Sequence, residues 1–161
     1  MGKARAKRSA SRTAARLAAV QALYQMDMAA TDANQVIQEF LDHRLGEAAE
    51  TSGADATDGA YFEDLVLGVV KQQRSIDPVL DAHLAEGWHL SRIDSILRAI
   101  LRSAAYEITM REDVPAKVII NEYLDIAHAF FDDEEPKVVN GILDRLARAQ
   151  RAQEFEQVND G

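Results

Sequence analysis

Six basic side chains crowd the first 16 residues of the chain, and the first acidic residue is Asp27. The basic residues are Lys3, Arg5, Lys7, Arg8, Arg12 and Arg16. Guanidinium groups contact phosphate oxygens bidentately, so such a series suits a nucleic-acid backbone. A solvated basic end is the alternative, but clustered positive charge at a helix N-terminus is unfavourable unless an anionic partner compensates it. We therefore expect these residues to bind RNA or DNA.

One tyrosine follows this cluster at a spacing that suits a second kind of contact. Tyr24 lies two helical turns after Arg16 and could stack on an unpaired base. A place at the edge of the hydrophobic core is an equally good interpretation of the same residue.

Other combinations of reactive side chains are weak. His83, Glu86 and His89 have the spacing H-x-x-E-x-x-H, but Gly87 and Trp88 should interrupt a helix there, and no fourth ligand is evident. The acidic run 132–135 lacks the alternate spacing of a calcium loop and better suits the start of a helix. The absence of cysteine excludes thiolate nucleophiles and cysteine-ligated metals. We expect no catalytic residue, no bound metal and no cofactor.

Hydrophobic spacing predicts about seven helices and an all-α fold, as a helical bundle or two bundles side by side. The predicted helices cover about 11–29, 35–45, 61–73, 75–85 and 91–110, and two more begin near 113 and 136. The helix that begins near 113 is apolar around most of its circumference, so we expect it to be the central one. Residues 46–59 contain no large apolar side chain and predict a linker. We expect a flexible basic arm at 1–10, a helical domain at 11–150 and a frayed tail at 151–161.

The charge of the chain is distributed unevenly. Its net charge is −9, yet six of the 18 basic side chains lie in residues 1–16. That leaves 12 basic and 27 acidic side chains, a net charge of −15, for the remainder. No stretch approaches the roughly 20 apolar residues of a membrane span, and the basic start does not lead into the apolar region of a signal peptide. We expect a cytoplasmic protein that has no contact with a membrane.

Three segments together resemble the NusB transcription antitermination family. They are A-A-R-L-A-A-V-Q-A-L-Y-Q-M-D at 14–27, L-R-S-A-A-Y-E-I at 101–108 with D-V-P-A-K-V-I-I-N-E at 113–122, and K-V-V-N-G-I-L-D-R at 137–145. The resemblance covers the first helix and nearly everything from about 93 to 146, whereas 31–59 has no match. The order and spacing of these strings are specific to the family, unlike any one of them alone.

This resemblance implies an all-helical fold of two three-helix halves that divide near 46–59. It also implies binding to the single-stranded box A sequence of nascent ribosomal RNA, together with NusE, a ribosomal protein of the small subunit. The complex would assemble on RNA polymerase, and no catalysis is implied. Some members of the family form homodimers.

The resemblance also implies roles for individual residues. The RNA-contacting start of the family matches Arg12, Arg16 and the basic residues that precede them. Tyr24 matches the neighbouring tyrosine of the family, and Lys137 matches a lysine near its RNA-facing surface. Lys117, near a helix start, is open between a structural role and an RNA contact.

Three further residues have an expected structural role. Asn121 and Asn140 lie on otherwise apolar helices, so we expect them to be buried and to hold helix ends or loops together. We expect Gly141 to allow two helices to approach closely.

Two alternative functions are compatible with the same pattern. One is a helical protein-interaction module whose acidic body binds a basic protein. The other is an RNA-binding accessory of a ribosomal RNA methyltransferase, because a NusB-like domain precedes the methyl-donor domain in some of these enzymes. Those enzymes use a catalytic cysteine, and this sequence ends at Gly161 without one, so we expect that such a role would need a second polypeptide.

Overall fold

A computed structural model describes residues 2–45, 57–132 and 134–159 of the chain. Within these ranges lie seven α-helices and no strand, which confirms the predicted all-α fold class. The helices are α1 (Gly2–Ala29), α2 (Ala33–Phe40, followed by a π-helical turn Leu41–Leu45), α3 (Gly59–His83), α4 (Ser95–Met110), α5 (Ala116–Phe130), α6 (Glu134–Gln150) and α7 (Ala152–Asn159). No helix in the described ranges combines the length and the apolar character needed to cross a membrane.

The chain divides into two compact units, Met1–Val70 and Lys71–Gly161. Most of the predicted linker 46–59 lies outside the described residues, and its last three residues lead into and begin α3. The division near 46–59 therefore stays a prediction.

The first helix begins earlier than expected. A flexible arm was predicted at 1–10, but α1 starts at Gly2 and includes every described basic residue of that segment. Alanine, lysine and arginine are strong helix formers, and neither proline nor a further glycine interrupts the segment. Helix propensity thus outweighs the unfavourable interaction between the positive charges and the helix dipole.

The third helix is longer than expected, because the two helices predicted at 61–73 and 75–85 are one continuous helix, Gly59–His83. Pro78 lies inside this helix and has an exposed side chain. Proline removes one backbone N–H donor and crowds the preceding turn, which kinks or breaks many helices. Here the helix continues through Pro78 to His83.

The fourth helix begins at Ser95 and not at the predicted Ser91, because Asp94 is its N-cap. Oδ1 of Asp94 accepts hydrogen bonds from the backbone N–H groups of Ile96 (2.8 Å) and Leu97 (3.3 Å). An aspartate at this position satisfies N–H groups that the first turn leaves without partners.

The core of the first unit is built from small residues of α1 and larger residues of α2 and α3. The helix α1 packs against α2. The phenyl ring of Phe62 in α3 stacks on that of Phe40, with ring centroids 5.5 Å apart. The buried hydrophobic residues of this unit are Ala15, Ala19, Val20, Ala22, Leu23, Val36, Ile37, Tyr61, Phe62, Leu65, Val66 and Val69.

In the second unit, α4, α5 and α6 pack against one another, and α4 is the most deeply buried. The expectation that α5 would be the central helix is wrong, because its Val118 and Phe130 are exposed. Uniform apolar character around a helix does not distinguish a central position from an exposed apolar patch. A polar network also lies in this core, where the hydroxyl group of Tyr123 donates to Oε2 of Glu107 at 2.6 Å.

The C-terminal segment differs from the predicted frayed tail, because Arg151 connects it to the loop between α4 and α5. The guanidinium group of Arg151 is buried and donates to four backbone carbonyl oxygens. These belong to Glu107 (3.0 Å), Ile108 (2.9 Å), Arg111 (2.6 Å) and Val114. Arg151 therefore caps the C-terminal end of α4, where carbonyl groups lack intrahelical partners.

Glu154 of α7 complements this arginine. Its Oε1 accepts a hydrogen bond from the backbone N–H of Ala116, the first residue of α5, at 2.9 Å. Its Oε2 lies 3.2 Å from Nη1 of Arg151. Together Arg151 and Glu154 satisfy the end of one core helix and the start of the next, and these contacts attach the start of α7 to the loop between α4 and α5.

We predict that Arg151→Met lowers the free energy of unfolding by about 2–3 kcal/mol, because several buried carbonyl groups lose a charged donor. Urea denaturation followed by circular dichroism measures this change. Arg74→Met is the matched control, since Arg74 is exposed on α3, and its effect should stay within about 0.5 kcal/mol. Equal effects of the two substitutions would contradict the capping role.

Candidate nucleic-acid interface

The basic residues of α1 occupy two sides of the helix. Arg5, Arg8, Arg12 and Arg16 follow at spacings of three, four and four residues, so they form one row along the helix. Lys3 and Lys7 lie on the opposite side. The side chains of Lys3, Arg5, Lys7 and Arg8 are exposed, whereas Arg12 is half-buried and Arg16 is only 2% exposed. The arginine row thus runs from the solvent into the core.

Arg16 is buried, so the free chain does not present it to RNA as the expected direct contact requires. Its Nη2 donates a hydrogen bond to the hydroxyl oxygen of Tyr61 at 3.1 Å, and its Cζ lies 5.2 Å from the centre of that ring. A guanidinium group over an aromatic face is attracted by the electrons of the ring. Arg16 therefore connects α1 to α3 inside the first unit.

The ring of Tyr61 reaches α1 because the start of α3 is attached there. The backbone N–H of Asp58 donates to the carbonyl oxygen of Ser11 at 3.1 Å. Oδ1 of Asp58 in turn accepts from the backbone N–H of Tyr61 at 3.0 Å, which makes Asp58 the N-cap of α3. These two bonds place Tyr61 beside the turn of α1 that carries Arg12 and Arg16.

The guanidinium group of Arg12 lies over the same ring as that of Arg16. Its Cζ is 4.7 Å from the ring centre of Tyr61. Its Nε is buried and has no hydrogen-bond partner within the described ranges. Leaving a buried donor unsatisfied costs about 1–3 kcal/mol. The half-buried side chain remains accessible in part, so Arg12 can still contact an anionic ligand.

The predicted base-stacking residue, Tyr24, is 37% exposed near the C-terminal end of α1. Eight residues after Arg16, it lies about 80° around the helix from Arg16 and farther from the other arginines of the row. It therefore lies on the same side of α1 as the exposed Leu17, between the arginine row and the two lysines. A ring in this position can stack on a base whose backbone follows the lysines.

Three predicted residues lie in the second unit, and none of them is buried. Lys137 is exposed near the start of α6, and Asn121 and Asn140 are exposed too. The two amides line a polar groove of about 280 Å³ between α5, α6 and α7, with Lys117 and Phe155 among its other residues. The expectation that both asparagines would be buried is wrong, because their helices expose this side to the groove.

Gly141 faces a side chain and not a second helix. A Cβ atom at this position would lie 3.3 Å from Nη1 of Arg145, on the same helix. The guanidinium group of Arg145 passes over Gly141 and donates from Nη2 to the carbonyl oxygen of His83 at 2.8 Å. The expected close approach of two helices at Gly141 is therefore wrong.

No group of side chains in the described ranges has the arrangement of a metal site. Of the residues with the H-x-x-E-x-x-H spacing, His83 is half-buried, and Glu86 and His89 are exposed. Gly87 adopts a φ of +90° in the turn between these residues, a conformation that side chains rarely adopt. This turn separates the residues of the motif, which therefore do not share one helix face.

Together these features define an all-helical protein whose first helix presents basic side chains suited to an anionic chain. The family model of NusB matches residues 13–148. The chain belongs to the NusB family of transcription antitermination proteins. The transcription antitermination protein NusB of Bradyrhizobium sp. strain BTAi1 is 54% identical over 144 residues, which cover 89% of this chain and 85% of that protein. The protein of the same description from Rhizobium rhizogenes is 49% identical over 148 residues, which cover 92% of each chain.

Solved structures show the same fold. NusB of T. maritima superimposes with a TM-score of 0.74 at 31% identity and covers 90% of this chain and 96% of its own. A structure of the antitermination factors NusB and NusE in complex with double-stranded RNA superimposes with a TM-score of 0.70 over 86% of this chain and 97% of that one. At 24% identity, the second comparison concerns the fold alone.

Sequence analysis did not identify Tyr61 as part of this interface. Tyr61 is only the first aromatic residue after the predicted linker, and no spacing relates it to Arg12 or Arg16, which are 49 and 45 residues away. Asp58, three residues earlier, is the usable signal, because an aspartate there marks the start of a helix. It predicts where α3 begins, but not which helix the first turn of α3 contacts.

We predict that Lys3→Glu stabilises the start of α1, which has no acidic residue in its first turn. A carboxylate interacts favourably with the helix dipole by about 0.3–1 kcal/mol. Hydrogen exchange of the amides of residues 6–10 should slow about two- to fivefold, as that energy implies. Lys3→Gln is the control, which removes the charge without adding a carboxylate and should have a smaller effect. Unchanged exchange in Lys3→Glu would show that the positive charges do not strain this helix.

Proposed function

We propose that this protein binds the single-stranded box A sequence of nascent RNA through α1, and that it promotes transcription antitermination by binding, without catalysis of its own. The observation that carries the proposal is a set of exposed basic side chains on a helix segment without an acidic residue. They belong to Lys3, Arg5, Lys7 and Arg8. Basic side chains release counterions from a phosphate backbone when they bind it, which provides affinity for any sequence. Membership of the NusB family supports RNA as the anionic chain.

The arrangement of α1 suits a single strand better than a duplex. Tyr24 is exposed and offers an aromatic face on which an unpaired base can stack. Bases within a duplex are already stacked, and sequence-specific proteins mostly recognise RNA where its bases are unpaired. In this arrangement, Lys3, Lys7 and the accessible arginines Arg5, Arg8 and Arg12 bind the backbone, and Tyr24 binds a base. Lys137, which is exposed on α6, is proposed as a separate phosphate contact.

A basic ribosomal protein of the NusE type is the proposed protein partner, and the complex assembles on RNA polymerase. The chain outside residues 1–16 has a net charge of −15. Complementary charge accelerates association and excludes partners of like charge. The solved complex of NusB and NusE, whose NusB chain has the same fold, supports a partner of this type. We expect RNA to bind more tightly when the partner is present.

We predict that replacing Lys3, Arg5, Lys7 and Arg8 together with glutamine weakens binding to box A RNA by roughly tenfold or more at low salt. Each phosphate contact with a single strand contributes about 0.7 to the slope of log K against log salt concentration. The magnitude of the slope should therefore fall by up to about 3. Fluorescence anisotropy of a labelled RNA over a series of salt concentrations measures both quantities.

The double variant Lys71→Gln/Arg74→Gln is the control, since it removes exposed charge from α3. Its affinity and salt slope should stay close to those of the native chain. Glutamine substitutions are preferable to removal of residues 1–16, because Ala15 and Arg16 belong to the core. An unchanged salt slope in the variant with all four glutamine substitutions would contradict the proposal that these residues bind the phosphates.

We predict that Tyr24→Leu weakens binding to box A RNA by about tenfold, because base stacking contributes about 1–3 kcal/mol per base. The salt slope should not change, since no charge is lost. Tyr24→Phe keeps the ring and should retain most of the affinity. A scrambled RNA of the same length is the second control, and equal binding of both RNAs by the native chain would contradict recognition of box A.

A further inference from the structure

Two arginines of α1 contact one tyrosine ring, although only one of them is accessible to a ligand. Arg12 is half-buried and Arg16 is buried, and their Cζ atoms lie 4.7 Å and 5.2 Å from the ring centre of Tyr61. We propose that Arg16 and Tyr61 are positioning residues for RNA binding, which hold the guanidinium group of Arg12 in the orientation that meets the RNA. This inference rests on the proposed function. It adds that the fold holds Arg12 in its binding orientation before RNA binds.

The first step of the argument is that Arg16 acts only through another residue. Its side chain is 2% exposed, so it cannot reach a phosphate of a bound strand without local unfolding. Its Nη2 donates to the hydroxyl oxygen of Tyr61, and this bond restricts the tilt of the ring. An effect of Arg16 on RNA binding is therefore indirect, and its hydrogen bond to Tyr61 provides one route for that effect.

The second step is that Tyr61 is fixed at both ends. Its backbone N–H donates to Oδ1 of Asp58, and the backbone N–H of Asp58 donates to the carbonyl oxygen of Ser11 in α1. Its hydroxyl oxygen accepts from Arg16. The ring therefore presents a constrained surface beside α1.

The third step is that this surface constrains Arg12. An exposed arginine loses much rotamer freedom when it binds a phosphate, and this loss weakens binding. Arg12 has already lost much of that freedom, because its guanidinium group stacks on the ring and its Nε is buried. The planar group then presents its remaining N–H donors at a defined angle, which a lysine could not reproduce.

A double-mutant cycle on box A RNA tests the dependence of Arg12 on Arg16. We expect Arg12→Met to raise Kd about fivefold and to reduce the magnitude of the salt slope by about 0.7. We expect Arg16→Met to raise Kd about threefold or more, and the double variant to bind no more weakly than Arg12→Met alone. Effects that multiply in the double variant would show two independent contributions and would overturn the proposal.

Two comparisons calibrate this cycle. Arg8→Met combined with Arg12→Met should give multiplied effects, because Arg8 is exposed and has its own contact. Arg74→Met should leave Kd unchanged. Circular dichroism shows whether Arg16→Met folds, and if it does not, Arg16→Lys replaces it in the cycle with the same expected coupling. A multiplicative result in the cycle that pairs Arg12→Met with Arg16→Met, or with Arg16→Lys in its place, rejects the positioning role.

Nuclear magnetic resonance of the free protein provides a measurement that would not change if Arg16 only stabilised the fold. The Nε–H proton of Arg12 lies beside the ring of Tyr61, so its resonance should carry a ring-current shift and exchange slowly with water. We expect Tyr61→Leu to remove this shift, Arg16→Lys to alter it, and Arg74→Met to leave it unchanged. Tyr61→Phe retains the ring but removes the hydroxyl oxygen that Arg16 contacts, so it should raise Kd about as much as Arg16→Met does. An unaltered Arg12 resonance in Arg16→Lys would overturn the proposal.

The two proposals fail in different ways. If the native chain binds box A and scrambled RNA equally, the proposed function fails, whereas the resonance of Arg12 still decides whether Arg16 positions it. If the native chain prefers box A and the cycle is multiplicative, the function stands and the positioning role fails.

Discussion

Burial of the Arg16 guanidinium group against Tyr61 is the contact on which the first unit depends most directly. A buried charge is costly unless hydrogen bonds or a cation–π interaction compensate it. Tyr61 provides both, since its hydroxyl oxygen accepts a hydrogen bond from Arg16 and its ring lies against the guanidinium group. Because this contact requires the first turn of α3 to lie over α1, it also determines where the arginine row leaves the solvent. The accessible part of the row consequently ends at Arg12.

The charge of the whole chain is a poor guide to what its first helix can bind. The Debye length at physiological salt is about 8 Å, so an anionic strand on α1 experiences mainly the charges close to it. The exposed basic side chains of α1 follow one another within three helical turns. The first acidic residue, Asp27, comes near the end of the same helix. A local cationic surface and a net charge of −9 are thus compatible, and the acidic remainder suits a basic protein partner.

Arginine has two distinct uses in this protein, which its residue type does not reveal. Arg5 and Arg8 are exposed and suited to a ligand, whereas Arg16 and Arg151 are buried and hold elements of the fold together. Arg151 donates to carbonyl groups at the end of α4, as the planar fork of its donors allows. Arg12 lies between the two groups, since the fold holds part of its guanidinium group and leaves part accessible. Substitution of an arginine therefore tests binding only where its environment is known.

The sequence by itself determined the helical class, most helix positions, the family and the cationic character of the first helix. These features follow from local propensity, apolar spacing and charge, which act between residues that are neighbours along the chain. Tertiary structure decided that Arg16 is buried, that Asn121 and Asn140 are exposed and that Arg151 anchors the C-terminal helix. The burial of Arg16 depends on Tyr61, 45 positions away, and the anchoring by Arg151 depends on Glu107, 44 positions away. Side-chain type and spacing carry no record of such distant partners, because packing brings them together only when the helices assemble.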